Sequence, residues 1–88
     1  MPTVHFPQSE PAVTPNTTVM FEAIVDGRNV RAEISEEALM DHFGAASRVS
    51  AEMIRAFKAN RAAIETIARV KLPARLAAGR GLLVSGDF

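Results

Sequence analysis

Val19-Met20-Phe21-Glu22-Ala23-Ile24-Val25-Asp26-Gly27-Arg28-Asn29-Val30-Arg31-Ala32-Glu33-Ile34 is the stretch that decides how this chain folds. Its first seven residues are rich in strand formers, and Phe21, Ala23 and Val25 fall on one face of an extended chain. Asp26-Gly27 is a hairpin signal, because such turns need positive φ and glycine adopts it without a Cβ clash. Arg28-Asn29 extends the loop or starts the return strand. Beyond it Val30, Ala32 and Ile34 point one way while Arg31 and Glu33 point the other, the alternation of a strand with one buried face.

Downstream the period changes from two to that of a helix. Ser35 is a good N-cap, and Glu36-Glu37 place negative charge in the first turn, where the helix dipole favours it. Ala38, Leu39 and Phe43 form the inward side of a short helix that Gly44 ends. Ser47 or Ser50 caps a second, longer helix. At helical spacing Val49, Met53, Ala56, Phe57, Ile64, Ile67 and Ala68 share a face, with the amide of Asn60 in their midst. Pro73 disfavours helical geometry at Leu72, so this helix is expected to end or kink near residues 70–72. Pro73 then sits at the first position of a short helical piece that Gly79 stops. Gly81-Leu82-Leu83-Val84-Ser85 reads as a last strand that most simply joins the hairpin.

Upstream, Pro7, Pro11 and Pro15 lie among Ser, Thr and Asn and make residues 7–18 extended and irregular. Val4-His5-Phe6 before them fits a short edge strand, and the prolines fit a loose terminus equally well. The expected fold is a two-layer α+β domain over residues 19–88 with a Pro-rich arm at 1–18. Its antiparallel sheet, made of the hairpin and the C-terminal strand, is covered by one short and one long helix.

Composition narrows the function classes. A chain of 88 residues holds one domain and a modest core, which makes self-association a plausible way to bury more surface. It has no cysteine, which excludes disulfide scaffolds, thiolate metal sites and cysteine nucleophiles. The N-terminus lacks the basic and apolar regions of a signal peptide, and no apolar run approaches a membrane span. The expected setting is the cytoplasm, with no membrane partner. The zero net charge hides a split. Residues 1–47 carry two basic side chains against seven acids, a net of −5, and residues 48–88 carry eight against three, a net of +5. Such asymmetry marks an anionic partner, a self-complementary surface, or two halves that satisfy each other within one fold.

Phe57…Asn60-Arg61…Ile64-Glu65…Ile67-Ala68 resembles the motif of a family of short bacterial proteins, the domain of unknown function 1488 family. Three further features are similar to that family: Phe21…Gly27…Val30, Ile34-Ser35-Glu36-Glu37-Ala38-Leu39 leading to Phe43-Gly44, and the terminal Leu83-Val84-Ser85-Gly86-Asp87-Phe88. No single piece is specific, but their order and spacing over residues 19–88 are. The resemblance implies a compact α+β domain of bacterial origin and brings with it no activity, substrate or catalytic residue.

Seven residues stand out as candidates. Asn60, amid apolar positions, needs a partner, because an unpaired buried amide costs on the order of 1–3 kcal/mol. A backbone group of the hairpin or of the C-terminal strand is the expected acceptor. Arg61 is expected to anchor the tail by pairing with Asp87 or with the terminal carboxylate. Arg48, Arg55, Lys58 and Arg69 fall along the helix face opposite the core, either as a solvated face or as an anion or nucleic-acid contact. No aromatic residue alternates with them to stack on bases. Two histidines with no spaced partner make no metal site, Ser85-Gly86-Asp87 is too short to imply catalysis, and the glycines form no phosphate-binding fingerprint. No catalytic residue, cofactor or metal is expected. The leading expectation is a non-enzymatic interaction or regulatory module whose partner is another protein or a second copy. A nucleic-acid-associated protein is the alternative.

Overall fold

The structure is a computed structural model and describes residues 3–88. Met1 and Pro2, which open the N-terminal arm and carry part of the signal-peptide reading, lie outside the described residues. The elements in chain order are β1 (Val4–His5), β2 (Ala12–Val13), β3 (Thr18–Val25), β4 (Arg28–Ser35), α1 (Glu36–His42), α2 (Ser50–Ala59), α3 (Arg61–Ala77) and β5 (Leu82–Leu83), followed by a 3₁₀ turn over Ser85–Asp87. The fold is α+β, as the sequence implies.

The hairpin is the centre of the sheet. Val25 pairs with Arg28 across a two-residue turn in which Asp26 and Gly27 take φ of 51° and 83°. Both central residues of a primed turn need positive φ, and this one aligns Phe21 with Ala32 and Val19 with Ile34. β1 and β2 both pair antiparallel with β3, at its far and near ends. β5 lies on the opposite side and pairs parallel to β4, through Glu33 with Leu82 and Ile34 with Leu83. The sheet is therefore mixed, and the expectation of a purely antiparallel sheet is corrected at this strand.

The reason lies in the helical layer. One long helix was expected after the short one, but the chain breaks at Asn60, which takes φ −122° and ψ 18° between α2 and α3. Three helices rather than two therefore lie between β4 and β5, which pairs parallel. The expected stop near residues 70–72 also does not occur. Pro73 lies inside α3, and the helix ends at a Schellman turn in which Gly79 N–H donates to Leu76 O and Arg80 N–H to Arg75 O. Gly79 supplies the positive φ, 116°, that this ending needs. The N-terminus of α1 follows the sequence: Ser35 Oγ accepts from Ala38 N–H at 3.2 Å, and Glu36 and Glu37 occupy the first turn.

The core lies between the sheet and the helices. Val19, Phe21, Ala23, Ala32 and Ile34 from the sheet meet Leu39, Met53, Phe57, Ile64, Ala68 and Leu72 from the helices, all fully buried. Val49, expected on this face, precedes the first turn of α2 and is exposed. The N-terminal segment takes part as well. Val4 and Phe6 are buried in the same cluster, and Phe6 lies 6.1 Å from Phe21, which in turn lies 5.1 Å from Phe57. A spaced chain of aromatic rings thus links the arm, the hairpin and the helices.

Candidate interaction surface

Asn60 is structural in its contacts, though with partners other than the expected ones. Its Nδ2 donates to Phe43 O at 3.1 Å and to Ala56 O at 2.9 Å. One carbonyl ends α1 and the other lies in α2, so the amide ties two helices together at the point where the third begins. Arg61 and Asp87 do not pair. Arg61 opens α3, whereas Asp87 lies beside Arg75, on the same helix fourteen residues further on and about 21 Å along its axis. Arg61 donates to Glu65 at 3.0 Å and to Ser9 O at 3.0 Å, and lies 5.2 Å over the Phe57 ring. Asp87 instead takes the Arg75 guanidinium and the Val84 N–H, the latter at 2.8 Å. Burial alone would raise the Asp87 carboxyl, but the Val84 amide and Arg75 outweigh it and hold the group below its ordinary range.

Each of the four residues expected to form a basic stripe has a partner within the fold. Arg48 pairs with Glu36 at 3.3 Å, Arg55 with Glu52, and Lys58 with Glu10 of the arm. Arg55 and the Ala46 N–H together hold the Glu52 carboxyl down at about 2. Arg69 turns toward the arm, donating to Val4 O at 2.6 Å and lying 5.4 Å over the Phe6 ring. Arg55 and Lys58 lie in α2, Arg48 just before it, and Arg69 in α3, beyond the break at Asn60.

One cluster has the residue types of hydrolytic catalysis without their arrangement. Ser85 Oγ donates to Asp41 Oδ2 at 2.7 Å, and His42 Nε2 lies 3.2 Å from the same Oγ and 3.0 Å from Ser85 O. A hydroxyl whose proton is held by a carboxylate is not the nucleophile–base pair of acyl transfer, in which the acid orients the histidine. With Phe88 edge-on to Phe43 at 5.1 Å, the cluster fastens the tail to α1. Among the described residues no group of three or more His, Cys, Asp or Glu could hold a metal ion. Among them, too, no helix is long and apolar enough to cross a membrane.

The sheet also presents side chains to the outside. All helical core residues pack against one face, and among the described residues no helix covers the other. Its rungs follow from the pairing register: His5, Ile24 and Asn29; Glu22 and Arg31; Ala12, Met20, Glu33 and Leu82. Met20 and Ile24 are half-buried between exposed charges, the pattern of an apolar strip in a polar frame. Two shallow depressions meet over Met20 and Arg31. One, of about 350 Å³, is bounded by the loop Thr14-Pro15-Asn16, and the other, of about 280 Å³, by Glu22 and Asn29. Glu33 frames the first and is fixed there. Arg80 donates to it at 2.9 Å and Thr18 Oγ1 at 2.6 Å, and both lower its pKa.

The surface continues round the edge of the sheet. β5 pairs with β4 only at Glu33 and Ile34, so on the side away from β3 no strand among the described residues pairs with Arg28–Arg31. Behind this edge a groove of about 500 Å³ runs between the hairpin tip and the end of α3, lined by Val25, Asp26, Arg28, Val30, Leu76 and Ala77. None of these outer-face or edge residues was among those the sequence singled out. The available signal was the alternation itself, which put Arg31 and Glu33 opposite the core but did not show that nothing covers that side.

Comparison with known proteins adds one relationship. No curated protein and no solved structure matches the chain. A family model described as protein of unknown function (DUF1488) matches residues 4–84. Because that match takes in every strand and α-helix among the described residues, the protein belongs to the DUF1488 family.

Proposed function

We propose that the protein is a non-enzymatic, cytoplasmic protein-interaction module that acts through the open side of its sheet. The observation that carries this reading is the one-sided sheet: three helices cover one face, while Met20, Ile24, Glu22 and Arg31 face outward on the other. Apolar side chains framed by charges on a flat, rigid support suit a protein partner, because the apolar centre supplies burial and the charges supply register. The cysteine-free composition suits a reducing compartment. The nucleic-acid reading has weaker support, because each of its four cations already has a partner within the fold.

A photo-crosslinking residue placed at Met20, with the same residue at Thr66 on the exposed side of α3 as control, tests the proposal in cells. A discrete adduct from position 20 and none from position 66 is the expected result, whether the captured chain is another protein or a second copy. Equal labelling from both positions, or none from either, would count against the reading.

A further inference from the structure

We propose that the uncovered edge of β4, Arg28–Arg31, receives an extended acidic peptide segment as an added strand, with an apolar side chain in the groove behind it. This rests on the interaction-module reading and names the chemistry of the partner at the edge of that surface.

The edge has free backbone groups. Glu33 N–H points away from β3 and donates to Gly81 O at 2.8 Å. N–H and C=O groups reverse direction at each residue along a strand, so those of Asn29 and Arg31 point the same way as those of Glu33. The register with β5 begins only at Glu33, and the Arg31 carbonyl already lies against Gly81, so the outward groups left clear are those of Asn29, which is exposed. Unpaired groups of this kind are what strand addition uses: main-chain bonds hold the peptide, and pockets for alternate side chains select it.

The pockets select acid and apolar groups. Val30, Leu76 and Val25 line the groove on the inner side and are only partly buried. Arg28 stands on the same side of the strand as Val30, and Arg31 on the opposite side. Neither guanidinium has a carboxylate within ion-pair distance among the described residues. The nearby acids are largely committed: Glu33 to Arg80 and Thr18, and Asp26 to the Thr3 N–H at 2.9 Å. Glu22, across the strand from Arg31, is the one without a partner, and it sits on the side away from the incoming strand. A peptide strand beside β4 would therefore place one acid against Arg28, an apolar residue against Val30 and a second acid against Arg31. That spacing is acid–any–apolar–acid if the peptide runs parallel to β4, and its reverse if antiparallel. A second copy of β4 fits less well. In a two-fold pairing centred on Val30, Arg31 lies diagonal to its own copy, and like charges so placed repel.

The test uses a fluorescein-labelled peptide with the core Glu-Val-Val-Glu, which satisfies the spacing in either direction, and a Lys-Val-Val-Lys control. Binding is followed by anisotropy and by amide chemical shifts of the full chain. The proposal expects salt-sensitive binding of the acidic peptide only, with shifts at Asn29, Arg31 and Ala77. It also expects at least a tenfold loss in the double variant Arg28→Gln, Arg31→Gln and in Asn29→Pro, each checked for an unchanged melting temperature. Asn29→Pro removes an outward N–H and leaves the ladder to β3 intact. Equal binding of the control, shifts confined to the outer face, or no shifts at millimolar peptide would overturn it. So would concentration-dependent dimerisation abolished by Asn29→Pro, which would assign the edge to a second copy. A position-20 adduct alongside a failed peptide titration would retain the interaction module and reject this partner. Failure of both would reject the module itself.

Discussion

Asn60 does at the residue scale what a longer loop would otherwise do. Its amide satisfies one carbonyl at the end of α1 and one inside α2, and its own backbone starts α3 by accepting from Ile64 N–H at 3.0 Å. Asn60→Ala leaves Phe43 O without this donor, and the expected loss of stability is about 1–3 kcal/mol, read from urea denaturation. Asn60→Leu tests whether volume can compensate. A midpoint equal to wild type in both variants would show that the two bonds contribute nothing. Asp87 offers a test through pH. Its folded pKa is depressed, as is that of Glu33. A depressed carboxyl stabilises the fold fully above its unfolded pKa, about 3.9 for Asp and 4.3 for Glu, and that contribution is lost as pH falls through the folded value. The urea midpoint is therefore expected to be flat from about pH 7 to 5 and to drop below about 4. Asp87→Asn should lower the midpoint at neutral pH and reduce the acid drop. An acid drop of unchanged size in that variant would remove Asp87 as one of its sources.

At the scale of elements, the arm is held by the third helix. Phe6 lies buried against Phe21, and Arg69 of α3 lies over the Phe6 ring while donating to Val4 O. Phe6→Ala is expected to cost about 3–5 kcal/mol and Arg69→Ala about 1–3 kcal/mol. Because the two side chains touch, their effects should not add, and a double-mutant cycle by urea denaturation should give a coupling of at least ~0.5 kcal/mol. Strict additivity would mean that the arm does not rest on α3. The hairpin and α1 were legible in the sequence because their signals are local: alternation, a two-residue turn with glycine, a serine cap and two acids. The break at Asn60 was not. Its apolar neighbours keep a helical period on both sides, and the acceptor that rewards the break, Phe43 O, lies seventeen residues away. The direction of β5 was hidden for the same reason, since a two-residue strand takes its orientation from the helices that deliver it. Pro73 misled in the opposite direction. A proline weighs heavily against a helix as a local signal, but Leu72 and Leu76 on either side of it pack into the core, and their burial carries the helix through. The surface proposed for partners was least legible of all, because an uncovered face is a property of the whole topology.

For the whole molecule the question is where the charge goes. The opposed halves of the sequence meet in three ion pairs, Arg48 with Glu36, Lys58 with Glu10 and Arg80 with Glu33. Three more, Arg55 with Glu52, Arg61 with Glu65 and Arg75 with Asp87, lie within the basic half. The three pairs that join the halves neutralise part of the charge split at close range. Affinity for nucleic acid depends on cations free to replace the counterions of phosphate, and a cation already paired with a carboxylate must give up that partner first. Wild type is therefore expected to show no binding to a twenty-nucleotide DNA or RNA by fluorescence anisotropy at physiological salt. The variant with Arg48, Arg55, Lys58 and Arg69 changed to Gln should match it in that assay. That variant should also melt at a lower temperature, chiefly through the lost Arg69 contacts to Val4 and Phe6. Salt-dependent binding by wild type that disappears in the variant would overturn the expectation and move the working surface from the sheet to the helices. Binding retained by the variant would place the contact at Arg28, Arg31 or Lys71, the basic side chains without a partner among the described residues, two of them on the β4 edge. In that event the same two arginines would be meeting phosphate rather than carboxylate, and competition between the oligonucleotide and the acidic peptide would decide which anion the edge prefers.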